Sequence, residues 1–596
     1  MTGPYDVVVV GAGVAGSLVA KRLGERGLRV LVLEAGDRHP GHRAALDHYS
    51  TAPAKVPGSP YHPQPAAPWP EVTDLTGLPD GGFRATGHLR QRGELPYGSG
   101  YLRVNGGTGN VWTGLAPRML PEDFRTEQFG YGRDWPLGYP DLEPYYRAAE
   151  RELGVCADVA EQRAGVGLPF PDAYDFPMRA LPPSHLDQVL ARQLDGRRVV
   201  DPVADEAVEL RVVGTPHARN GTPNPGYTPL GADGRPDPAS RCRGSASCIP
   251  HCPTRAKYTP LRTQAQWAGS VTLRERAVVC RVLVDPAGRA RGVEYRDHAG
   301  RPHTVAAPTV VLTAHAIENA RLLLLSGLAN RSDQLGRNLM DHPVLLTWGL
   351  LPERVGPYRG PGSTSGFEGF RAGPGRRARA PFRIEIGNWG WVWATGPVDG
   401  EVDRLLRAGL TGPALRAALA DRIGRQFTLQ FELEQAPDPA NRVTLHPTER
   451  DGLGLPRPLV DYRLSEHVKD GMAAARAVSD QLFALLGAED HTDYAPAAAW
   501  PGRFEHRGRS YGYRGAGHGA GTHIMGGSPV DSVVDQWQQC WDHPGLYAVG
   551  CGSMPSVATA NPTLTMAALA LRSADRIAAA PAAAGRPVHL SHGGAL

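Results

Sequence analysis

Two polar residues late in the chain are of types that could hold a substrate hydroxyl and remove its proton. His518 stands in the glycine-rich segment GHGAGTHIMGG, and Asn561 stands in ANPTLT. Hydride leaves a carbinol carbon readily only as the hydroxyl loses its proton, so a base must take that proton. Neutral imidazole is a suitable base at cellular pH. A carboxamide can hydrogen-bond to the same oxygen without burying a charge. The alternative for His518 is a structural histidine that serves the geometry of its glycine loop.

The start of the chain predicts a unit that binds a dinucleotide. Tyr5–Val10 and Leu28–Leu33 are short apolar runs typical of buried strands. Val14–Arg26, between them, has apolar residues at helical spacing. Together they form a βαβ unit of the usual size.

The turn after the first strand has glycines at G-x-G-x-x-G spacing. Gly11 permits the turn, Gly13 lets a pyrophosphate approach the backbone, and Gly16 lets helix and strand pack closely. Glu34 ends the second strand, where a carboxylate can accept both ribose hydroxyls, which favours FAD or NAD over NADP. The cofactor contacts expected in this unit are Gly11, Gly13, Val14, Ala15, Gly16, Glu34 and Ala35.

Length and charge limit the class of protein. The 596 residues exceed one ordinary domain, so two domains or one interleaved body are expected. A formal net charge of +4 without a dense basic run gives no reason to expect nucleic acid as a partner. No apolar stretch is long enough to span a membrane, and no signal peptide precedes the first strand, so we expect a cytoplasmic protein.

The segment Val271–Thr313 is expected to return to the nucleotide-binding domain after a long insertion. It alternates short strands with turns, and Val279 would sit where backbone groups meet the adenine. Its end, Pro308–Thr313, is typical of a buried strand, and Ala316–Ser326 after it is typical of a helix.

The strands Phe382–Trp393 and Phe427–Glu434 are expected to form the wall of a substrate pocket. Phe382–Ile386 and Phe427–Leu433 alternate apolar and polar residues, as half-buried strands do. Ordinary sheet faces are the alternative. The candidate wall residues are Trp389, Trp391, Trp393, Gln430 and Glu432.

Other segments are predicted as helices or loops. Tyr139–Gly154 begins with proline and acidic residues and ends in glycine, as helices do. Thr563–Ala580 is rich in alanine and is also predicted to be a helix. Irregular loops are expected over His39–Gly82 and Ala160–Pro183, and a frayed tail over residues 581–596.

Segments along nearly the whole chain resemble the glucose–methanol–choline (GMC) oxidoreductases. They are the N-terminal unit, RVNGGTGNVWTG (103–114), LGRNLMDHP (335–343), NRVTLHP (441–447) and the two segments around His518 and Asn561. The stretch WPLGYPDLEPYYRAAERELGV (135–155) is most similar to the sugar-oxidising branch. That branch includes pyranose 2-oxidases, bacterial C-glycoside oxidases and FAD-dependent glucose or fructose dehydrogenases.

The resemblance implies an α/β fold, α+β overall, with two domains. A Rossmann-type FAD-binding domain (1–134, 205–343 and 515–580) would be interleaved with a substrate-binding domain (135–204 and 344–514) built on an antiparallel sheet with helices.

The resemblance also implies roles for single residues. His518 matches the family's active-site histidine and Asn561 the second polar member of the pair. His523 is a weaker substrate candidate, with a structural histidine as its alternative. The further cofactor contacts are Gly106, Gly107, Asn110, Val111, Ala314, Gly550, Pro562 and Thr563.

Two departures from the family concern the flavin and the pocket. Pyranose 2-oxidases have a histidine in T-H-W-T that bonds covalently to the flavin, and Val111 stands at that position here. Valine cannot form the bond, so we expect non-covalent FAD. Glycines flank His518, where many members have an aromatic residue or proline, and this leaves the local pocket shape open.

Three of the seven cysteines cluster, as Cys242-x5-Cys248-x3-Cys252. Clustered thiolates can bind zinc or an iron–sulfur cluster, but this spacing fits neither a C-x2-C zinc knuckle nor a ferredoxin run. Many family members have a similar segment without metal. We therefore expect structural thiols and no metal; a three-iron cluster and zinc are the alternatives.

The expected activity is oxidation of a CH–OH group on a sugar or glycoside, by hydride transfer to flavin N5 with His518 as the base. Dioxygen, a quinone-like acceptor or a partner protein would reoxidise the flavin. The alternatives are a small-alcohol or choline-like oxidase, a lyase that keeps FAD but splits cyanohydrins, and a dehydrogenase subunit that passes electrons through an iron–sulfur cluster to a partner.

Overall fold

The computed structural model describes residues 5–51, 64–65, 89–244, 248–389, 398–494 and 502–580. Its main elements are two large sheets and the helices packed on them. The α-helices are Val14–Glu25, His42–Thr51, Tyr139–Leu153, Val159–Val166, His185–Leu194, Pro260–Gln264, Ala316–Ser326, Val398–Arg407, Gly412–Arg425, Glu466–Leu486 and Thr563–Ala579.

A five-stranded parallel sheet holds the glycine turn at the carboxyl end of its central strand. Val7 lies opposite Thr309 on one side and Val30 on the other. The central strand and its neighbour Val30–Leu33 are fully buried, as in parallel sheets that are covered on both faces. This confirms the predicted Rossmann-type α/β unit. The spatial order is Leu546–Ala548, Thr309–Leu312, Val7–Val10, Val30–Leu33 and Val271–Arg274.

A seven-stranded antiparallel sheet forms the second large element. The strand Pro343–Leu350 pairs with two short strands as well as with its long neighbour, and one of them, Arg514–Gly515, leads directly to His518. The order along the sheet is Glu489–Asp490, Pro343–Leu350, Gln426–Leu433, Phe382–Gly387, Ser363–Phe367 and Val212–Gly214.

The two predicted wall strands are not half-buried, so that expectation was wrong. Every residue of Phe382–Gly387 and Gln426–Leu433 is buried. The apolar face belongs to the same hydrophobic cluster as the helix Glu466–Leu486, and the polar face is turned towards the interior as well. The alternation therefore separates two buried faces of different polarity.

The other described strands form smaller sheets. One has three antiparallel strands, within the segment that was predicted to alternate short strands with turns. These sheets consist of Ala277–Val284, Ala290–Asp297 and Pro302–Ala306; of Arg442–Arg450, Pro456–Asp461 and Arg90–Arg92; of Arg503–His506 and Arg509–Gly512; of Val155–Cys156 and His217–Ala218; and of Arg198–Asp201 and Glu206–Glu209.

The predicted helices are confirmed: they are Val14–Glu25, Tyr139–Leu153, Ala316–Ser326 and Thr563–Ala579. Two segments that were predicted to be loops also contain helices. Tyr139–Leu153 ends at Gly154, whose φ of +66° favours glycine. The expectation of a loop over Ala160–Pro183 was wrong for Val159–Val166, because Asp158 caps that helix by accepting from Glu161 N–H. His42–Thr51 is likewise helical.

The parallel sheet draws its strands from three separate parts of the chain, as an interleaved domain requires. Val212–Gly214 joins the antiparallel sheet, although the predicted boundaries put it in the FAD-binding domain. The boundaries themselves stay a prediction, and the tail at 581–596 lies outside the described residues. Among the described residues, no helix is long and apolar enough to cross a bilayer.

Candidate active site

One cavity of about 310 Å³ lies between the two large sheets. Its volume falls in the range of small-molecule and cofactor sites. Most predicted residues line it: Gly11, Gly13, Val14, Ala15, Glu34, Ala35, Gly107, Val111, Val279, Ala314, Gly550, Pro562 and Thr563, with His518, Asn561, Gln430 and Glu432.

The glycine turn has the geometry that a pyrophosphate needs. Gly11 has a φ of +102°, which favours glycine. A Cβ on Gly16 would lie 2.0 Å from the carbonyl oxygen of Gly11, whereas a Cβ on Gly13 would have no described atom within 4 Å. Gly16 thus stands behind the cavity lining and lets the helix approach, and Gly13 leaves room at the cavity for a ligand.

Glu34 is held rigidly at the cavity. Its Oε2 accepts from Ala12 N–H at 2.8 Å and its Oε1 from Gly36 N–H at 2.7 Å. Burial raises the pKa of Glu34, and these two N–H groups oppose that rise. Each oxygen keeps a lone pair, so the carboxyl fits the hydroxyls of a ribose. The turn and Glu34 together fit the dinucleotide part of FAD.

The loop after residue 105 lines the cavity with only some of its predicted contacts. Gly107 and Val111 are in the lining, but Gly106 and Asn110 are not. A Cβ on Gly106 would lie 2.7 Å from the Asn110 amide, and that amide donates to Asn105 O at 2.9 Å. Gly106 and Asn110 therefore shape the turn from behind.

A single buried carboxyl, Asp341, holds the backbone of the histidine loop. Its Oδ1 accepts from His518 N–H at 2.9 Å, and its Oδ2 accepts from Ser99 Oγ. Ser99 Oγ in turn accepts from Gly517 N–H at 2.7 Å. Burial raises the pKa of Asp341 to about 6.

His518 is neutral in this setting. Burial of its ring and the nearby His342 and Arg383 lower the pKa of His518 well below its ordinary value. The imidazole lines the cavity and can accept a proton there.

Asn561 is fixed by hydrogen bonds to Arg383 and Glu432. Arg383 Nη1 donates to its Oδ1 at 3.1 Å, and its Nδ2 donates to Glu432 Oε1 at 3.4 Å. Sequence reasoning missed Arg383, although it lies on a predicted wall strand.

Glu385 and Glu432 form a pair of carboxyls on the cavity wall. The strand register sets Glu385 opposite Gln430, whose Nε2 donates to Glu385 Oε1 at 3.3 Å. Burial raises the pKa of both carboxyls, and the charge of Glu385 raises that of Glu432 further. Glu385 was missed, yet the alternation of FRIEI that placed the wall would have found it.

Of the remaining substrate candidates, one lines the cavity. Trp389 lines the cavity. His523, the further substrate candidate, does not; it is fully buried, and its backbone N–H donates to Gly552 O at 2.8 Å. Trp391 and Trp393 lie outside the described residues.

The cysteine segment borders the cavity through Ile249. Cys242, Cys248 and Cys252 are free thiols. Lys257 Nζ donates to Cys248 O at 2.8 Å and burial lowers the pKa of this lysine to about 8. Within the part of the chain that the structure describes, which omits residues 245–247, no group of three metal-ligating side chains is arranged around a metal position.

Comparison with known proteins adds to this geometry. GMC oxidoreductase family models match residues 218–344 and 437–570, and a model of an NAD(P)-binding Rossmann-like domain matches residues 9–70. Pyridoxine 4-oxidase from Mesorbium loti shares the fold with a TM-score of 0.59 at 20% identity, covering 96% of this chain and 99% of that one.

Two curated proteins are similar over nearly their whole length. The fructose dehydrogenase large subunit of Gluconobacter japonicus is 31% identical, covering 96% of this chain and 97% of that protein. Paromamine 6'-oxidase of Streptomyces fradiae is 27% identical over 96% and 91%. Because the first relative spans almost the entire sequence and both family models match in order, the chain belongs to the GMC oxidoreductase family and is an FAD-dependent oxidoreductase that acts on CH–OH groups.

Proposed function

We propose that the protein oxidises a hydroxyl of a sugar or glycoside, with His518 as the base. The observation that carries this proposal is the convergence of His518 and Asn561, from separate segments, on one cavity with Glu385 and Glu432.

The chain's own groups suit the proton transfer. Neutral His518 takes the proton of the hydroxyl, a step that general-base catalysis accelerates by about 10²–10⁴. Asn561, whose oxygen accepts from Arg383 and whose one amide N–H donates to Glu432, presents its other N–H to the hydroxyl oxygen. When bound, FAD supplies the acceptor for the hydride.

The wall favours a substrate rich in hydroxyls. Glu385, Gln430 and Glu432 present acceptors and donors side by side, which matches groups that both donate and accept. Three relatives support this class by name: the fructose dehydrogenase large subunit, paromamine 6'-oxidase and the C-glycoside 3-oxidase of Arthrobacter globiformis.

We further propose that FAD is held without a covalent bond. Val111 lines the cavity at the position where the covalent members have histidine, and its side chain has no atom that could form that bond.

A second candidate differs in where the electrons go. The relative at 31% identity is named a large subunit, and here the segment with Cys242, Cys248 and Cys252 borders the cavity. A dehydrogenase that passes electrons to a partner would react slowly with dioxygen. If it used a cluster, purified protein would contain acid-labile sulfide and absorb outside the flavin bands.

The deciding experiment is anaerobic reduction of the bound flavin with sugars, glycosides and simple alcohols. We expect bleaching with sugars or glycosides, and dioxygen or a quinone added afterwards identifies the acceptor. His518→Ala should slow the bleaching by at least about 10² while FAD stays bound. His185→Ala, at an exposed histidine, is the matched control. Unchanged reduction in His518→Ala would remove the assigned base, and bleaching with simple alcohols alone would remove the substrate class.

A further inference from the structure

A second imidazole, His342, lies behind His518 and does not line the cavity. It is fully buried, immediately before the strand Pro343–Leu350. Its Nδ1 lies 2.7 Å from Nδ1 of His518, and its Nε2 lies 2.8 Å from Ala558 O. The two rings meet edge to face, with centroids 4.9 Å apart at 89°.

The carbonyl of Ala558 decides where the proton of His342 sits. A carbonyl oxygen only accepts hydrogen bonds, so Nε2 of His342 must be the N–H. Burial lowers the pKa of His342 to about 4, so the ring is neutral and its Nδ1 carries a lone pair.

That lone pair decides the tautomer of His518. At 2.7 Å the two Nδ1 atoms need one proton between them, and His518 must supply it. If His518 carried its proton on Nε2, two lone pairs would face each other at this distance. The neutral ring therefore keeps Nδ1–H towards His342 and leaves Nε2 bare.

The backbone N–H groups of both histidines donate to one carboxyl, which fixes the two residues relative to each other. Asp341 Oδ1 accepts from His342 N–H at 2.8 Å and from His518 N–H at 2.9 Å.

We propose that His342 is a positioning residue that holds His518 in the tautomer whose Nε2 can take the substrate's proton. The proposal rests on the proposed role of His518 as base. The hydroxyl O–H bond breaks, its proton passes to Nε2, and the oxygen keeps the electron pair that forms the carbonyl as hydride leaves the carbon. The resulting imidazolium still donates Nδ1–H to His342, so the same bond also stabilises the charged ring.

The test compares two substitutions in the FAD-loaded protein. In His342→Asn, Oδ1 takes the place of the imidazole Nδ1 and can still accept from His518. In His342→Leu nothing accepts, and His518 is free to carry its proton on Nε2. We expect His342→Leu to lower the rate constant of anaerobic flavin reduction by about 10²–10⁴ without changing the substrate dissociation constant. We expect His342→Asn to restore the rate constant to within about tenfold of the wild type.

The outcomes separate this proposal from the proposed function. Equal losses in His342→Asn and His342→Leu, or a wild-type rate in His342→Leu while His518→Ala is inactive, would overturn the positioning role alone. A wild-type rate in His518→Ala would overturn the role of the base. His185→Leu controls for the substitution itself, at an exposed site.

A measurement on the unsubstituted protein keeps the proposal testable if His342→Leu does not fold. Nitrogen NMR of histidine-labelled protein, with His518 assigned by the loss of its signals in His518→Ala, reports which ring nitrogen carries the proton. A protonated Nδ1 and a bare Nε2 are expected. A protonated Nε2 in the neutral ring would refute the inference.

Discussion

Glu385 and Glu432 face the cavity together, and Arg383 is the cation that lies next to both of them. Its Nη1 is 3.9 Å from Glu385 and 3.7 Å from Glu432, and its Nη2 is 3.2 Å from a third carboxylate, Glu368. Arg371 also pairs with Glu368, at 2.7 Å, so two guanidiniums face three carboxylates and one negative charge is left over. Burial opposes the charged form of both wall carboxyls. The pair therefore keeps a proton at pH values where a free carboxyl has lost it.

This pair predicts a pH-dependent stability. Because the pKa of Glu432 is raised above 4.5, the folded protein binds more protons than the unfolded chain between about pH 4.5 and the raised value. The contribution of the pair to the free energy of unfolding thus falls as the pH rises through that window, by about 1.4 kcal/mol for each pH unit. Glu432→Gln removes the titration, so its Tm relative to wild type should increase from about pH 5 to about pH 9.

The control for this prediction is Glu209→Gln, at an exposed position on a short hairpin strand. Its Tm should follow the wild-type profile at every pH. Parallel curves for Glu432→Gln and wild type would contradict the shared proton.

At the scale of elements, the turn between the first strand and the helix Val14–Glu25 separates packing from ligand contact. A Cβ added at Gly16 would overlap the backbone of Gly11, whereas a Cβ added at Gly13 would point into open space. The two glycines should therefore respond differently to the same added methyl group.

Gly16→Ala should destabilise the protein even when FAD has been removed, by about 1–3 kcal/mol or more, because its Cβ would overlap the Gly11 carbonyl. Gly13→Ala should leave the FAD-free Tm unchanged but weaken FAD binding by more than about tenfold, since the methyl group occupies the ligand's space. Thermal unfolding of stripped protein and titration of FAD fluorescence measure the two effects. Wild-type FAD affinity in Gly13→Ala would show that no phosphate lies there.

Elements with a local signal could be predicted from the sequence. The helix Ala316–Ser326 was predicted with its observed ends, because apolar spacing and a following glycine are local features. The burial of both faces of Phe382–Gly387 could not be predicted, because the cover comes from distant parts of the chain. The contact of His342 with His518 was invisible for the same reason: the segment LGRNLMDHP contains the residue, but no local pattern indicates what its ring touches.

At the scale of the whole molecule, the cavity joins the two large sheets. Its lining takes Val10 and Leu33 from the parallel sheet and Leu346 and Glu432 from the antiparallel sheet. A ligand that fills this space contacts both, so binding and global stability are linked.

Non-covalent FAD should therefore raise the Tm in a concentration-dependent way. At a free FAD concentration about 100 times the dissociation constant, the gain in the free energy of unfolding is about 2.7 kcal/mol. Calorimetry of stripped protein across a series of FAD concentrations measures it. If the Tm did not change with added FAD and the flavin stayed attached to the denatured chain, the bond would be covalent instead.

The strand order of the parallel sheet also bears on biosynthesis. Val7–Val10 pairs with Thr309–Leu312, which in turn pairs with Leu546–Ala548, and His518 and Asn561 flank that last strand along the chain. At about 5–20 residues per second, the ribosome needs on the order of a minute to go from the first of these strands to the last. The nascent chain thus makes its phosphate turn early but can close around the flavin only after Leu546–Ala548 has been synthesised, and until then the apolar strands Val7–Val10 and Thr309–Leu312 lack part of their final cover.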